Sequence, residues 1–290
     1  MDIFVPLVVS GIVTGSLYFL VAAGLVVVYR LSRILNFAHG SVGMVAAYVF
    51  FVGLWPHMPM GLALPLALAA SAALGVFIER FTIRRANRQS ALAAIIVTVG
   101  WMTLLPVLVS NITEGGTRVV PQLFPKTQII EWGSLFVTAD QLIVLAIAIT
   151  LGVGFWALLR YTTIGLQMRA VATSPEGAAL LGVNVNFVAA VSWGVAGVFA
   201  GVAGILISPF INLSNVTLTL LVVPGYAAAL AGGLQSIGAA FVGAMVVGIG
   251  GALLRGYGSD ITGLQEAFPF LLIMLLLIVT REETGVARTV

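Results

Sequence analysis

Asn36 and His39 stand three residues apart in RLSRILNFAHGSVGM, Arg30 to Met44, and are followed by Gly40, Ser41 and Gly43. If the segment is helical, Asn36 and His39 share a face beside Gly40, Ser41 and Gly43, and a broken helix there would line a polar pathway. The plainer reading is a turn capped by Asn36, with His39 near the lipid headgroups. A second polar island is VATSPEGAALLGVN, Val171 to Asn184. There Ser174 is placed as a helix N-cap, Pro175 as the first helical residue and Glu176 in the first turn, where a carboxylate suits the positive end of the helix dipole. Gly182 supplies a left-handed stop. A helix of about seven residues is too short to persist alone in water and must dock on something. Ala178, Ala179, Leu180 and Leu181 are its apolar part, and either this chain's own helix ends or a soluble partner is their receiver.

Neither island has the residues of an enzyme. His39 and His57 are the only histidines and there is no cysteine, which leaves no metal site, triad or thiol chemistry to build. The chain has no GxxxxGK[ST] loop for nucleotide phosphates and no GxSxG frame around its serines. No catalytic residue, no metal and no cofactor bound by this chain is expected.

The elements that position these islands follow from composition. Of 290 residues 60% are hydrophobic and 8% charged, with mean hydropathy +1.14, whereas soluble domains run near a quarter charged. Apolar segments recur at about 4–29, 36–54, 61–79, 91–109, 140–159, 187–208, 218–234, 236–254 and 265–280. The alternation of a transmembrane barrel is absent. The expected fold is an all-α polytopic membrane protein in one domain over 1–290, with about eight or nine transmembrane helices, some broken or re-entrant. The start, MDIFVPLVVSG, lacks the basic region of a cleaved signal, so the first apolar run is expected to stay as a helix.

Several details refine this plan. Pro224 and Gly225 interrupt TLTLLVVPGYAAALAGGL, giving a kinked span or a re-entrant element. Gly232, Gly233 and Gly238 make the following stretch helix, tight turn, helix. Gly197, Gly201 and Gly204, and Gly243, Gly248 and Gly251, are small-residue faces that let helices approach closely. A loop at 111–139 contains two short β-prone runs separated by Gly133 and Ser134, which predicts a small hairpin. In the loop at 160–186 the preceding span is expected to continue past Arg160 until Pro175 stops it.

Charge sets the orientation. With the N-terminus outside, inside loops hold Arg30, Arg33, Arg80, Arg84, Arg85, Arg88, Arg160, Arg169, Arg281 and Arg288, while Arg118, Lys126 and Arg255 fall outside with Asp2 and Asp260. This N-outside, C-inside arrangement also favours a full crossing at Pro224. The segment centres carry no ionisable residue, which argues against a carrier coupled to an ion gradient and assigns any energy supply to another subunit.

Glu176 to Gly182, E-G-A-A-L-L-G, resembles the E-A-A-x-x-x-G coupling motif of ABC importer permeases. Together with NFAHGSVGMVAAY at Asn36 to Tyr48, RAVATSPEGAALLGV at Arg169 to Val183 and AALAGGLQSIGAAFVGAMVVG at Ala228 to Gly248, it makes most of the chain similar to the LivH branch of the branched-chain amino acid permeases. Gly177 stands where the motif has alanine, and Ala46, Ala47 and Tyr48 stand where the family has G-A-Y. The resemblance implies a permease subunit of an ATP-driven importer for branched-chain or related apolar amino acids in the bacterial inner membrane, N-terminus periplasmic and C-terminus cytoplasmic. Urea or short-chain amides are the alternative substrates, and a passive channel or ion-coupled carrier is the alternative class.

The implied partners are a LivM-like second permease, two cytosolic ATPases of the LivG and LivF type that hold ATP and Mg, a periplasmic substrate-binding protein and the lipid bilayer, with no nucleic acid. Carried onto this chain, the resemblance puts the ATPase contact at Arg169, Thr173, Ser174, Pro175, Glu176, Ala178, Ala179, Leu181 and Gly182. The translocation path would pass Asn36, His39, Ser41, Pro224 and Gly225. The periplasmic loop at 111–139 and the turns at 53–60 and 255–263 would face the binding protein. An uncharged path suits a neutral or zwitterionic solute with an apolar side chain.

Overall fold

In hydrocarbon each backbone N–H and C=O must be paired within the protein, and helices pair them within one segment. All nine apolar stretches accordingly fold as helices in the computed structural model, which describes residues 3–132, 135–258 and 263–284. In chain order they are α1 (Phe4–Ser32), α2 (His39–Tyr48), α3 (Met60–Ile78), α4 (Arg84–Asn87), α5 (Ala91–Thr113), α6 (Ala139–Tyr161), α7 (Thr163–Thr173), α8 (Pro175–Leu180), α9 (Val185–Ile211), α10 (Asn215–Leu220), α11 (Val222–Ala231), α12 (Ile237–Tyr257) and α13 (Leu264–Thr284). A π-helical stretch, Val49–Leu54, extends α2, and another, Glu79–Ile83, joins α3 to α4. Among the described residues six helices are long and apolar enough to cross a membrane; His39–Leu54, Asn215–Ala231 and Leu264–Ile278 are shorter apolar helices.

Two helices form the centre. Of the most apolar 18-residue stretch, 83% is buried in α1 and 72% in α9, against 22–33% in the other four long spans, which therefore lie outside them. α1 and α9 cross where the Gly24 position faces the Ala196 carbonyl. Glycine then seats a second helix on each of them. A Cβ at Gly15 or Gly248 would collide with the backbone of the facing helix, so α1 and α12 touch main chain to main chain; Gly197 does the same for α9 against Ser71 and Ala72 of α3. Of the small residues singled out in the sequence, Gly201, Gly204 and Gly243 also meet neighbouring helices, whereas Gly251 has only the Gln265 side chain, 4.0 Å from where its Cβ would lie.

The contacts pair off as an internal repeat. A long helix, a break, a short helix and two further spans occur as α1, 33–38, α2, α3–α4 and α5, and again as α9, 212–214, α10–α11, α12 and α13. α12 packs on α1 as α3 packs on α9, α11 packs on α1 as α2 packs on α9, and α13 packs on α11 as α5 packs on α2. The hairpin, α6, α7 and α8 link the two sets, and internal repeats of this kind are known from transporter folds.

Several expectations are met. The turn at 232–236 separates α11 from α12 with Gly233 at φ 58°, and Ser236 caps α12 by accepting the Ala239 N–H at 3.2 Å. β1 (Gln128–Trp132) and β2 (Leu135–Thr138) pair antiparallel, Glu131 opposite Phe136. Gly133 and Ser134 lie outside the described residues, as do Asp2, Asp260 and Arg288 and the side chain of Arg281. Other expectations change. The third span runs beyond residue 79 to Asn87, so Glu79 lies inside a continuous helix, buried and bonded to Arg84 at 2.9 and 2.6 Å. The break at Thr162, extended at φ −104° and ψ 156°, ends α6 at Tyr161, so the span does not run on to Pro175. α7 turns back there because Gly165 sits against the Leu159 backbone with no room for a Cβ.

If the α1–α12 seam needs bare backbone, Gly248→Ala should destabilise the fold by about 1–3 kcal/mol through overpacking. Gly251→Ala, facing only a flexible side chain, should leave it unchanged. Thermal unfolding of the two variants in the same detergent checks the contrast.

Candidate coupling loop and buried polar break

The loop helix is built as its residues dictate. Ser174, extended at φ −153°, ends α7 and accepts the Gly177 N–H on its Oγ at 3.0 Å; Pro175 then occupies the first position of α8 and Glu176 the first turn. At the other end the Val183 N–H donates to the Ala178 carbonyl and the Gly182 N–H to the Ala179 carbonyl, both at 3.0 Å, with Gly182 at φ 84°. This is a Schellman stop. The helix has six residues, one fewer than the sequence suggested. Asn184 starts α9 by accepting the Phe187 N–H at 3.1 Å. The whole segment is therefore capped on both sides.

Its two apolar faces part company. Ala178 is buried in a small cluster with Met168, Val171 and Val188, which fixes α8 to α7 and α9. Leu180 and Leu181 are 89% and 85% exposed. Arg169, Thr173, Ser174, Pro175, Glu176, Ala179 and Gly182 are exposed with them, so the expected contact residues share one surface apart from Ala178, which anchors it. Just beyond the loop, Arg84 donates to the Asn186 carbonyl at 3.0 Å while its other contacts hold Glu79. Sequence reasoning placed Arg84 in a basic inside loop and missed this tie, because the partner is 102 residues away.

The other island is not a surface feature. Asn36 and His39 are buried, and α2 begins only at His39, so the two do not share a helical face and Asn36 caps nothing. The non-helical stretch 33–38 is held by α5: the Phe37 N–H donates to Thr98 Oγ1 at 3.2 Å and Thr98 Oγ1 donates to the Leu35 carbonyl at 3.1 Å. The His39 imidazole fills the space that a Cβ at Gly24 would need. Ser41 donates to the Met102 carbonyl at 3.0 Å and lies 3.4 Å from Thr219 Oγ1. Asn215 holds α10 to α5 through the Pro106 carbonyl at 3.3 Å and through Ser110.

The two breaks meet. Gly40 abuts the Thr219 carbonyl, and the rings of Phe37 and Tyr226 lie 5.2 Å apart. Gly225 packs on Val21 and Leu25 of α1, while Pro224 lines a cavity that the preceding turns of α1 also line. Asn36, His39 and Ser41 do not line that cavity, so the structure divides the expected path residues between a packed junction and an open space. Asn36 Oδ1, His39 Nε2 and Asn215 Oδ1 are buried without a hydrogen-bond partner. Unpaired groups of this kind cost about 1–3 kcal/mol each, so the packing around them must hold the junction together.

The family model described as "branched-chain amino acid transport system / permease component" matches residues 7–280, which takes in both breaks and the capped loop. The chain belongs to this permease family. The high-affinity branched-chain amino acid transport system permease protein LivH of Salmonella typhimurium is 30% identical over 95% of this chain and 93% of its own length. The corresponding protein BraD of Pseudomonas aeruginosa is 28% identical over 92% of each. Among solved structures, a chain of PsaBC from Streptococcus pneumoniae in complex with Fab superposes with a TM-score of 0.50, covering 93% of this permease and 89% of that chain at 12% identity, a likeness of fold.

Removing the Ser174 hydroxyl should cost the permease loop about 1 kcal/mol of local stability. In Ser174→Ala, hydrogen exchange across 175–182 should quicken about fivefold, while exchange in the buried part of α9 stays as it was.

Proposed function

We propose that the chain is the membrane-spanning subunit of an ATP-driven importer for branched-chain or related apolar amino acids in the inner membrane, and that α8 is the surface a cytosolic ATPase grips. The observation that carries this reading is the pair Leu180 and Leu181, exposed to water at the tip of a helix whose base is fixed by caps and by buried Ala178. An apolar pair on a pre-formed support is what a docking site needs, since binding then has little ordering left to impose. The arginines at 30–33, 80–88 and 160–169, at and beyond helix ends, favour the same side as cytoplasmic, with the N-terminus periplasmic.

On this reading the partners are a second, LivM-like permease, two ATPases that carry ATP and Mg, and a periplasmic binding protein that delivers the solute. ATP-driven closure of the ATPase pair displaces α8. The caps pass that displacement to α7 and α9 as a rigid unit, and α9 is the buried centre on which α2 and α3 are seated.

Leu180→Asp with Leu181→Asp tests the contact. Both residues are exposed, so the change in fold stability should stay within about 0.5 kcal/mol, while co-purified ATPase and ATP-dependent leucine uptake are lost. Uptake that survives ATP depletion, or a double variant that keeps its ATPase, rules the reading out.

A further inference from the structure

A cavity of about 550 Å³ lies between α1, the ends of α9 and α12, α10–α11 and the start of α13. A cavity of this size falls within the range that takes small ligands. Its rim residues, Gln141, Ile211, Arg255 and Glu266, sit at element ends on the side of the bundle that carries the 111–139 loop. That loop is tied to the same end by paired backbone hydrogen bonds between Arg118 and Leu213, at 3.0 and 2.9 Å.

The lining is chemically unlike that of the other large space. A groove of about 480 Å³ between α3, α6 and α9 is walled by aliphatic and aromatic side chains with Thr150 as its one polar residue. The larger cavity brings together one cation, Arg255, one anion, Glu266, the hydroxyls of Ser10, Thr14, Tyr18 and Thr217, and an apolar wall that includes Val13, Leu17 and Phe270. Arg255 is oriented by donating its Nε–H to Gln265 Oε1 at 2.8 Å, and it forms no ion pair with Glu266 among the described residues. Tyr18 on the facing wall lies in electrostatic range of both charges. The cavity also touches the break of the short helix: Leu220, Leu221 and Pro224 line it, and Pro224 has no N–H to give the Leu220 carbonyl.

We propose that this cavity is a receiving site on the outer side for a zwitterionic amino acid with an apolar side chain. Arg255 takes the α-carboxylate through its guanidinium fork, Glu266 takes the ammonium, and Val13, Leu17 and Phe270 take the side chain. One charge of each sign leaves the mouth neutral, so an anion or a cation alone leaves one of the two unpaired. That mismatch disfavours both, whereas the zwitterion satisfies the pair. Because the wall includes the break at 220–224, an occupant sits directly against the helix segment that abuts α2 at Gly40. This assignment rests on the importer reading for its orientation and its solute class.

The absence of native cysteine permits a direct test on the complete transporter, with partner permease and ATPases, reconstituted without binding protein. A single Thr217→Cys substitution should introduce a thiol that reacts with a membrane-impermeant reagent added outside. Leucine at about ten times its Kd should slow that reaction about tenfold, whereas leucinamide and 4-methylpentanoate, each lacking one charge, should leave it unchanged. Adding Arg255→Gln should abolish protection by leucine, while the thiol is still labelled at the same rate in the absence of leucine and the ATPases still co-purify. The proposal is overturned if the Thr217→Cys variant is not labelled from outside, if leucine gives no protection, or if all three compounds protect alike. Any of these with ATP-dependent uptake intact removes the cavity assignment alone; loss of ATPase partnership removes the importer reading instead.

Discussion

The structure depends on main chains lying directly against one another. α1 meets α12 at Gly15 and Gly248, and Gly197 of α9 meets the Ser71 and Ala72 backbone of α3, where a Cβ on the glycine would collide. In a lipid environment apolar burial gives little preference for one helix neighbour over another, so close backbone contact and dispersion do the selecting. The same device recurs in each half and seats α12 on α1 and α3 on α9, while α5 and α13 pack on the short helices α2 and α11. The short helices are the elements that this frame leaves room to break.

Those breaks are tolerated because of where they sit. Residues 33–38 and the junction at Leu221 expose backbone groups that lipid cannot satisfy, and each is enclosed by neighbouring helices or faces a cavity. Thr98 supplies hydrogen bonds that a continuous helix would have made at 33–38, Ser41 pairs the Met102 carbonyl to which Pro106 has no N–H to give, and Asn215 ties α10 to α5. Polar side chains in this bundle therefore serve first as substitutes for lost helical pairing. Their unpaired members, Asn36 Oδ1 and His39 Nε2, mark where that substitution is incomplete.

Local rules made much of this legible in the sequence. The nine apolar stretches, the strands on either side of Gly133 and Ser134, the turn after Ala231, and the serine, proline and glycine that delimit α8 all depend on residues within a few positions of one another. The failures were those where a specific contact in the folded chain decides, whether its partner is five residues away or a hundred. The charged residues from Glu79 to Arg88 read as the end of a span, yet a helix runs on to Asn87 because Glu79 and Arg84 neutralise each other inside it. Thr162 breaks a helix that composition would continue, and what turns it is the fit of Gly165 on Leu159. On the plainer reading Asn36 caps a turn and His39 lies near the headgroups, whereas both are buried in the bundle, and no spacing rule reports that. Arg255 and Glu266 lie on different helices and meet only in the folded bundle.

Arg84 reaches across 102 residues of sequence to the carbonyl of Asn186, at the first turn of α9. The loop that carries α8 is thereby stapled at its exit to the helix that α9 already grips by its glycines. A linkage anchored in this way has no slack. On the proposed importer reading, movement imposed at α8 has a second route into the bundle, through this hydrogen bond to the helix that ends at Asn87, besides the chain itself.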